Sequence, residues 1–315
     1  MRVLILGTGG VGGYFGAKLA AGGNDVWFVA RGSHLAAMQE RGLVVQSPEK
    51  TLRIPPGQMV ARPADAPPAD VIFFCVKSYD TESAAEQLKP AIHSRSVILC
   101  LQNGIDNEEK IQRILPDTEV YGGVAYISST MTAPGEITEG GGIRKIVFGP
   151  TKQSTGTHTD SILHALTSSG IQAERSSDIR LDLWKKFVFI TGAAGVTALT
   201  RQTLHEIISD VYVRQLFRDA MAETELVGRA HGVPLPSDIV EGFLSSVQRF
   251  KNNTYSSLYH DLVNGKPLEI DALAGTVVRL ADRYHLAVPI QQTIYAALHP
   301  FHVKHQHLRQ VSSVQ

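Results

Sequence analysis

The chain has 315 residues, 43% of them hydrophobic and 19% charged, with 30 Lys+Arg against 30 Asp+Glu. This balance lacks the basic excess that nucleic-acid or anionic-membrane binding needs, and no apolar run reaches the roughly 20 residues of a membrane-crossing helix. The length suits two domains. The two cysteines, Cys75 and Cys100, each close an apolar run and read as small buried hydrophobes in a reducing, cytoplasmic setting rather than as a disulfide framework.

Residues 3–6 (VLIL) predict a buried strand, too short for the apolar core of a signal peptide. A glycine turn follows, then a helix over residues 14–21, a second strand at Asp25–Val29 and a short helix over 34–40. The runs 71–76 (VIFFCV) and 97–101 (VILCL) are apolar throughout, as strands covered on both faces are. Helical stretches at Thr81–Leu88 and Asn107–Ile114 separate these strands. Such alternation implies βαβ units in a doubly wound parallel sheet. Residues 119–148, broken by Gly122-Gly123, Pro134-Gly135 and Gly140-Gly141-Gly142, predict an antiparallel extension of that sheet with hairpin-like turns. A helix over 157–169 completes a first domain, residues 1–178.

Beyond that point strand signals nearly vanish. Helical spacing covers 179–198, 204–231, 238–250 and 271–284, with breaks at Gly232, Pro234-Leu235-Pro236, Asn264-Gly265 and Pro267. The second domain, 179–315, is therefore predicted to be all α. The polar tail after Pro300 is expected to fray, and its four histidines, His299, His302, His305 and His307, to be solvated rather than to bind metal.

The residues Gly7-Thr8-Gly9-Gly10-Val11-Gly12 fit G-x-G-x-x-G. Alone the pattern is weak. Here it follows an apolar strand, opens a helix and leads to a second strand that ends about 20 residues later, which makes it a specific signal for a dinucleotide. Gly7 allows the tight turn, Gly9 the close approach of a pyrophosphate, and Gly12 close helix–strand packing. The free N–H groups at the helix start face the phosphates. An NAD site usually places an acid at the end of the second strand; here the chain reads Val29-Ala30-Arg31-Gly32-Ser33, with no acid between Asp25 and Glu40. Asp25 lies at the wrong end of that strand. Arg31 offers a planar fork for a 2′-phosphate and Ser33 a hydroxyl, so NADP(H) is expected.

In these features and in others further along the chain, the sequence resembles the ketopantoate reductase family, whose members reduce 2-dehydropantoate to pantoate with NADPH. Six landmarks carry the resemblance across almost the whole chain. They are the glycine turn with Arg31, Val76-Lys77-Ser78, Leu101-Gln102-Asn103-Gly104, Leu183-Trp184-Lys185-Lys186-Phe187, the run from Ser256-Ser257 to His260-Asp261, and Glu269-Ile270-Asp271. The resemblance implies a Rossmann-type domain, a helical domain and an active site in the cleft between them. It makes Lys186, two residues after the tryptophan, the general acid. An ammonium there stabilises the oxygen that gains charge on hydride attack and delivers its proton. It gives Glu269 a hydrogen bond to the substrate hydroxyl or carbonyl oxygen and a place beside the cofactor, with Ser257 holding its carboxylate. Asn103 and Lys77 orient the nicotinamide ribose and the reacting carbonyl. In isolation each of these residues has an ordinary explanation: a helix-surface lysine, an acid paired with Lys266, an Asn-Gly turn.

The departures bear on the substrate. Where many members have two Asn after the catalytic Lys, this chain has Ile190 and Ala194, and a further expected Asn falls at Leu204. A pocket that loses amides loses selectivity for a polar substrate. A less polar 2-oxo acid, or recruitment of Thr191, Asn252 or Asn253, is the alternative. Two rivals are a non-catalytic NADP(H)-binding redox sensor, which leaves Lys186 and Glu269 unexplained, and a β-hydroxyacid dehydrogenase, against which the Ser256-to-Glu269 segment speaks. A small 2-oxo acid is the expected partner, for a monomer or homodimer.

Overall fold

A computed structural model describes residues 1–152, 154–247 and 254–312. The chain divides into two compact units, one of Met1–Gln102 with Asp106–Asp182, the other of Asn103–Ile105 with Leu183–Gln315.

The first unit opens with β1 (Arg2–Leu6), α1 (Gly10–Ala21), β2 (Asp25–Val29) and α2 (Gly32–Arg41), followed by three short strands, β3 (Leu43–Gln46), β4 (Thr51–Ile54) and β5 (Met59–Val60). Then come β6 (Val71–Phe74), α3 (Thr81–Leu88), β7 (Val97–Cys100), α4 (Asn107–Ile114) and β8 (Glu119–Tyr126). The unit ends with β9 (Ser129–Ala133), β10 (Glu136–Glu139), β11 (Lys145–Pro150), α5 (Thr159–Ser168) and β12 (Gln172–Arg175). The main sheet runs β12-β11-β8-β7-β6-β1-β2-β5, and only the β8–β11 pairing is antiparallel.

Alternation along the strands builds the layers. Val3 and Ile5 join Phe28, Phe73, Leu99 and Phe15 in one core, while Leu4 and Leu6 join Ile72, Phe74, Ile98 and Ile111 in the other. Both faces of β1, β6 and β7 are thereby covered, which is why these strands read as unbroken apolar runs. Strand order reverses between β1 and β6, so the carboxyl ends of these two strands mark the crevice where open α/β sheets bind ligands.

The antiparallel extension predicted over 119–148 is correct for β8 and β11 and wrong for the strands between them. β9 and β10 leave the main sheet and pair with β3 and β4 in a separate four-stranded sheet, with β10 parallel to β3. The sequence reading missed β3, β4, β5 and β12. They are two to four residues long, too short for their alternation to stand out.

The second unit is helical: α6 (Ile179–Thr200, whose first turn lies in the first unit), α7 (Leu204–Ser209), α8 (Val211–Ala230), α9 (Ile239–Val247), α10 (Ser257–Val263), α11 (Ala274–Tyr284) and α12 (Pro289–Ser312). The single helix expected over 204–231 is two. Thr203 and Glu206 form a capping box at the start of α7, and the Asp210 carboxylate accepts the backbone N–H of Tyr212 and Val213 to start α8.

The expected fraying after Pro300 is also overturned. α12 continues to Ser312, and Gln291, Ile294, Leu298 and His302 form one buried stripe at helical spacing. His302 is 3% exposed, so it is not the solvated residue expected. Its polarity and the intervening proline hid the stripe from the sequence. Among the described residues no cluster of His, Cys, Asp or Glu is arranged to hold a metal ion, and no helix is long and apolar enough to cross a membrane. Both cysteines are free, and burial pushes their thiols well above the usual range.

Candidate active site

In the first unit the glycine turn joins β1 to α1. Gly7 has φ +99°, and a Cβ there would lie 2.7 Å from the Val76 backbone nitrogen, so the turn after β1 and the segment after β6 touch through a missing side chain. A Cβ on Gly12 would collide with the Gly7 carbonyl oxygen, which is how α1 comes so close to the strand it follows. Gly9 is the N-cap of α1 and faces open space, with no side chain capping the helix and no acid in its first turn, which Gly10 and Val11 begin. The first N–H groups of α1 thus stand ready for an anion. Thr8 locks the turn: its hydroxyl and its N–H both donate to the Val29 carbonyl, at 2.9 and 3.2 Å.

An open groove of about 240 Å³ runs over this turn, lined by Gly7, Thr8 and Gly9, by Ala30 and Arg31 at the end of β2, and by Val76 beyond. Arg31 occupies the N-cap position of α2 without capping it through its side chain, which pairs with Asp80 at 3.0 Å and is 62% exposed. Ser33 is exposed in the first turn of α2. Asp25 is spent elsewhere, because Arg2 at 2.7 Å holds its carboxyl below the usual carboxylate range. A glycine lining, an uncapped helix start and an exposed guanidinium in place of an acid fit a dinucleotide with a 2′-phosphate.

Sequence reasoning missed His34. This buried residue accepts the Gly135 N–H at Nδ1 (2.9 Å) and meets the Thr8 carbonyl at Nε2 (2.8 Å). With Nδ1 an acceptor, the neutral ring carries its proton on Nε2 and donates to Thr8, tying the glycine turn to the β9–β10 connection. Burial pushes its pKa below the ordinary histidine value. Charging the ring would cost the Gly135 bond, so the unfolded chain takes up a proton that the folded one refuses. Stability from His34 is complete above about pH 6.5 and declines as pH falls below it. Thermal melts between pH 7 and 5 should show Tm falling, less steeply in His34→Asn. An identical slope in the variant would remove His34 from the account.

Lys77 is half-buried just after β6, at the sheet's carboxyl edge. Gln102, quoted in the motif but given no role, bridges two loops there: its amide donates to the Val76 carbonyl and to the Thr81 hydroxyl, both at 2.9 Å. Thr81 in turn donates to Asn107 at 3.0 Å. The segments that follow β6 and β7 are thus fixed to each other, and Lys77 and Asn103 each lie one residue from a residue in this network.

In the second unit, Lys186 is half-buried on α6, two residues after Trp184, which is 2% exposed and packs edge-on against Phe187 at 5.5 Å. Ile190 and Ala194 follow at intervals of four and share its side of the helix. Thr191 does not, since five residues carry it about 140° round the axis. Its hydroxyl sits 2.8 Å from that of Thr224, in a buried network with Gln291. Recruitment of Thr191 in place of an amide is therefore ruled out by its position. Asn252 and Asn253, the other residues considered, lie outside the described residues. Leu204 is buried at the start of α7.

Glu269 is buried between α10 and α11. Ser256 is the N-cap of α10 and receives a 2.6 Å hydrogen bond from Thr197 of α6, while Ser257 beside it is exposed. Asn103 is half-buried in the tripeptide Asn103–Ile105. The second unit thus carries an ammonium, a carboxylate, a hydroxyl and an amide, the donor and acceptor set that carbonyl reduction calls for.

Residues 3–153 match the family described as "Ketopantoate reductase PanE/ApbA" and residues 178–302 its C-terminal region. An oxidoreductase of Bacillus subtilis (strain 168), YkpB, is 32% identical over 95% of this chain and 98% of its own. A 2-dehydropantoate 2-reductase of Nostoc sp. is 28% identical over 94% of each chain. The crystal structure of a PanE/ApbA family ketopantoate reductase from Ralstonia eutropha JMP134 superposes with a TM-score of 0.89, at 32% identity, covering 98% of this chain and 100% of that one.

Proposed function

Because the chain belongs to the ketopantoate reductase family, and so is an NADP-dependent oxidoreductase acting on a CH–OH group, we propose that it reduces 2-dehydropantoate to pantoate, a step of pantothenate synthesis. The observation that carries the reading is the groove over the uncapped start of α1, lined by glycine and flanked by Arg31 instead of an acid. The residues that hold the cofactor are Gly7 to Gly12 at the pyrophosphate, Arg31 at the 2′-phosphate, and Lys77, Asn103 and Glu269 towards the nicotinamide end. When bound, NADPH supplies the hydride taken up by the substrate's C2.

The chain's own residues do the rest. Lys186 carries a proton at Nζ, stabilises the oxygen as its charge grows, and gives that proton up to complete the alcohol. Glu269 accepts a hydrogen bond from the hydroxyl end of the substrate, and Ser257 steadies its carboxylate. Asn103 donates to the substrate and orients its reacting carbonyl. The two unpaired thiols suit a reducing compartment, and we assign the protein to the cytoplasm, as a monomer or homodimer.

One observation favours a second reading. Ile190 and Ala194 present no hydrogen-bonding groups one and two turns beyond Lys186, which suits a 2-oxo acid without a terminal hydroxyl. A panel assayed by NADPH absorbance separates the two: 2-dehydropantoate, its analogue lacking the terminal hydroxyl, and 2-oxoisovalerate. The first reading expects kcat/KM for 2-dehydropantoate to lead by tenfold or more. A lead by either hydroxyl-free acid selects the second, and no turnover of any of them rejects both.

A further inference from the structure

The segment between α10 and α11 that bears Glu269 is held from outside by the C-terminal helix. His302 Nδ1 accepts the Leu268 N–H at 3.1 Å, which leaves the proton of the neutral ring on Nε2, facing Asp271 Oδ2 at 3.6 Å. Tyr295, two turns earlier on α12, donates its hydroxyl to Asp271 Oδ1 at 2.8 Å. His305, three residues beyond His302, bonds the Lys266 carbonyl at 2.9 Å. One helix therefore grips this segment on both sides of Glu269. Leu268 and Ile270 are fully buried, so the residues flanking Glu269 serve as anchors.

His302 is the centre of this grip: it accepts from Leu268 on one side of Glu269 and lies 3.6 Å from Asp271 on the other. It is 3% exposed, and burial pushes its pKa below the ordinary value although Asp271 pulls the other way. The neutral form is the one that can accept from Leu268 at Nδ1 while keeping its proton on Nε2 near Asp271, and the ring also makes a side-chain hydrogen bond with Gln306. An apolar residue could fill the same space on α12. A histidine is needed only if the Leu268 N–H must be caught at a fixed point, since a buried N–H without an acceptor is costly.

We propose that His302 is a positioning residue for the reduction, fixing the main chain that aims the Glu269 carboxylate at the substrate. It acts on Glu269 and not on the reacting atoms, and the inference rests on the role given to Glu269 above.

The test measures kcat and KM for Glu269→Ala, His302→Ala and the double variant with NADPH and 2-dehydropantoate, or 2-oxoisovalerate if the panel ranks it higher. Glu269→Ala should lose most of its kcat/KM, and His302→Ala should lose about tenfold, chiefly through KM for the 2-oxo acid. In the Glu269→Ala background the His302 substitution should cost less than twofold, because there is no carboxylate left to aim. Asparagine places an acceptor near the Nδ1 position and glutamine places one near Nε2, so His302→Asn should recover activity to within threefold and His302→Gln should not. That order also decides the matter if His302→Ala does not fold.

Undiminished activity in Glu269→Ala would overturn the role of Glu269, and this inference with it. A loss in Glu269→Ala with His302→Ala within twofold of the parent would overturn the inference alone. So would an equal loss in both backgrounds, which marks a merely structural residue, or a glutamine variant as active as the asparagine one.

Discussion

Replacing Lys186 with alanine is expected to lower kcat by about 10³-fold while the Kd for NADPH stays within threefold of the parent value. General-acid help is worth roughly 10²–10⁴ in rate, and an ammonium beside an oxygen gaining charge adds electrostatic stabilisation that matters only as the reaction proceeds. The loss should therefore fall on kcat, with KM for the 2-oxo acid changing little by comparison. The groups proposed to hold the pyrophosphate and the 2′-phosphate, Gly7 to Gly12 and Arg31, belong to the first unit, so fluorescence titration of NADPH reads the folded state of the variant independently of turnover.

Two companions sharpen the result. Lys186→Arg keeps the charge but cannot readily release a proton, and should recover a tenth or less of the parent rate. Lys185→Ala should stay within a few-fold of parent, since neighbouring residues on a helix point about 100° apart. Both lysines are half-buried, so exposure does not choose between them; the kinetics must. Full turnover in Lys186→Ala with loss in Lys185→Ala would transfer the role to the neighbour, and full turnover in both would end the proposed mechanism.

What the sequence makes legible follows from the length scale of each signal. The parallel core was readable because β1, β6 and β7 are covered on both faces and therefore uniformly apolar, and because a glycine turn has few sequence solutions. The small sheet was not, since β3 and β10 become strands by pairing with each other across more than 80 residues of chain, a long-range event no local window contains. The break at Asp210 looks like any polar residue on a helix surface until its carboxylate is seen to accept two backbone N–H groups. His302 reads as solvated and His34 carries no signal in the sequence for a related reason. A histidine's function depends on what faces its two nitrogens, and those partners, Leu268 and Asp271 for one, Gly135 and Thr8 for the other, lie 26 to 101 residues away. The pair Ile190 and Ala194 shows the opposite case: their spacing from Lys186 was plain in the sequence, and the helix preserves it.

Replacing Arg31 with alanine is expected to raise the Kd for NADPH by about 10- to 100-fold and to leave that for NADH within threefold. A charge-assisted hydrogen bond to a phosphate is worth roughly 1.5–3 kcal/mol, and each 1.4 kcal/mol is about tenfold in affinity. NADH has no 2′-phosphate, so the guanidinium has little to lose there. The residue's 62% exposure places the interaction in high dielectric, where it weakens with ionic strength. The NADPH advantage of the parent should shrink between low and high salt, and the variant should show little such slope. Asp80 complicates the site in a useful way. It holds Arg31 at 3.0 Å, so removing Arg31 leaves a carboxylate close to where the phosphate would lie, and repulsion adds to the loss. Asp80→Asn should then partly restore NADPH affinity to Arg31→Ala, and in the parent it should tighten NADPH by releasing the guanidinium. If Arg31→Ala weakened NADPH and NADH alike, the residue would be supporting the loop before α2 and not reading the phosphate, and the preference for NADPH would have to come from Ser33 or from the groove wall beyond it.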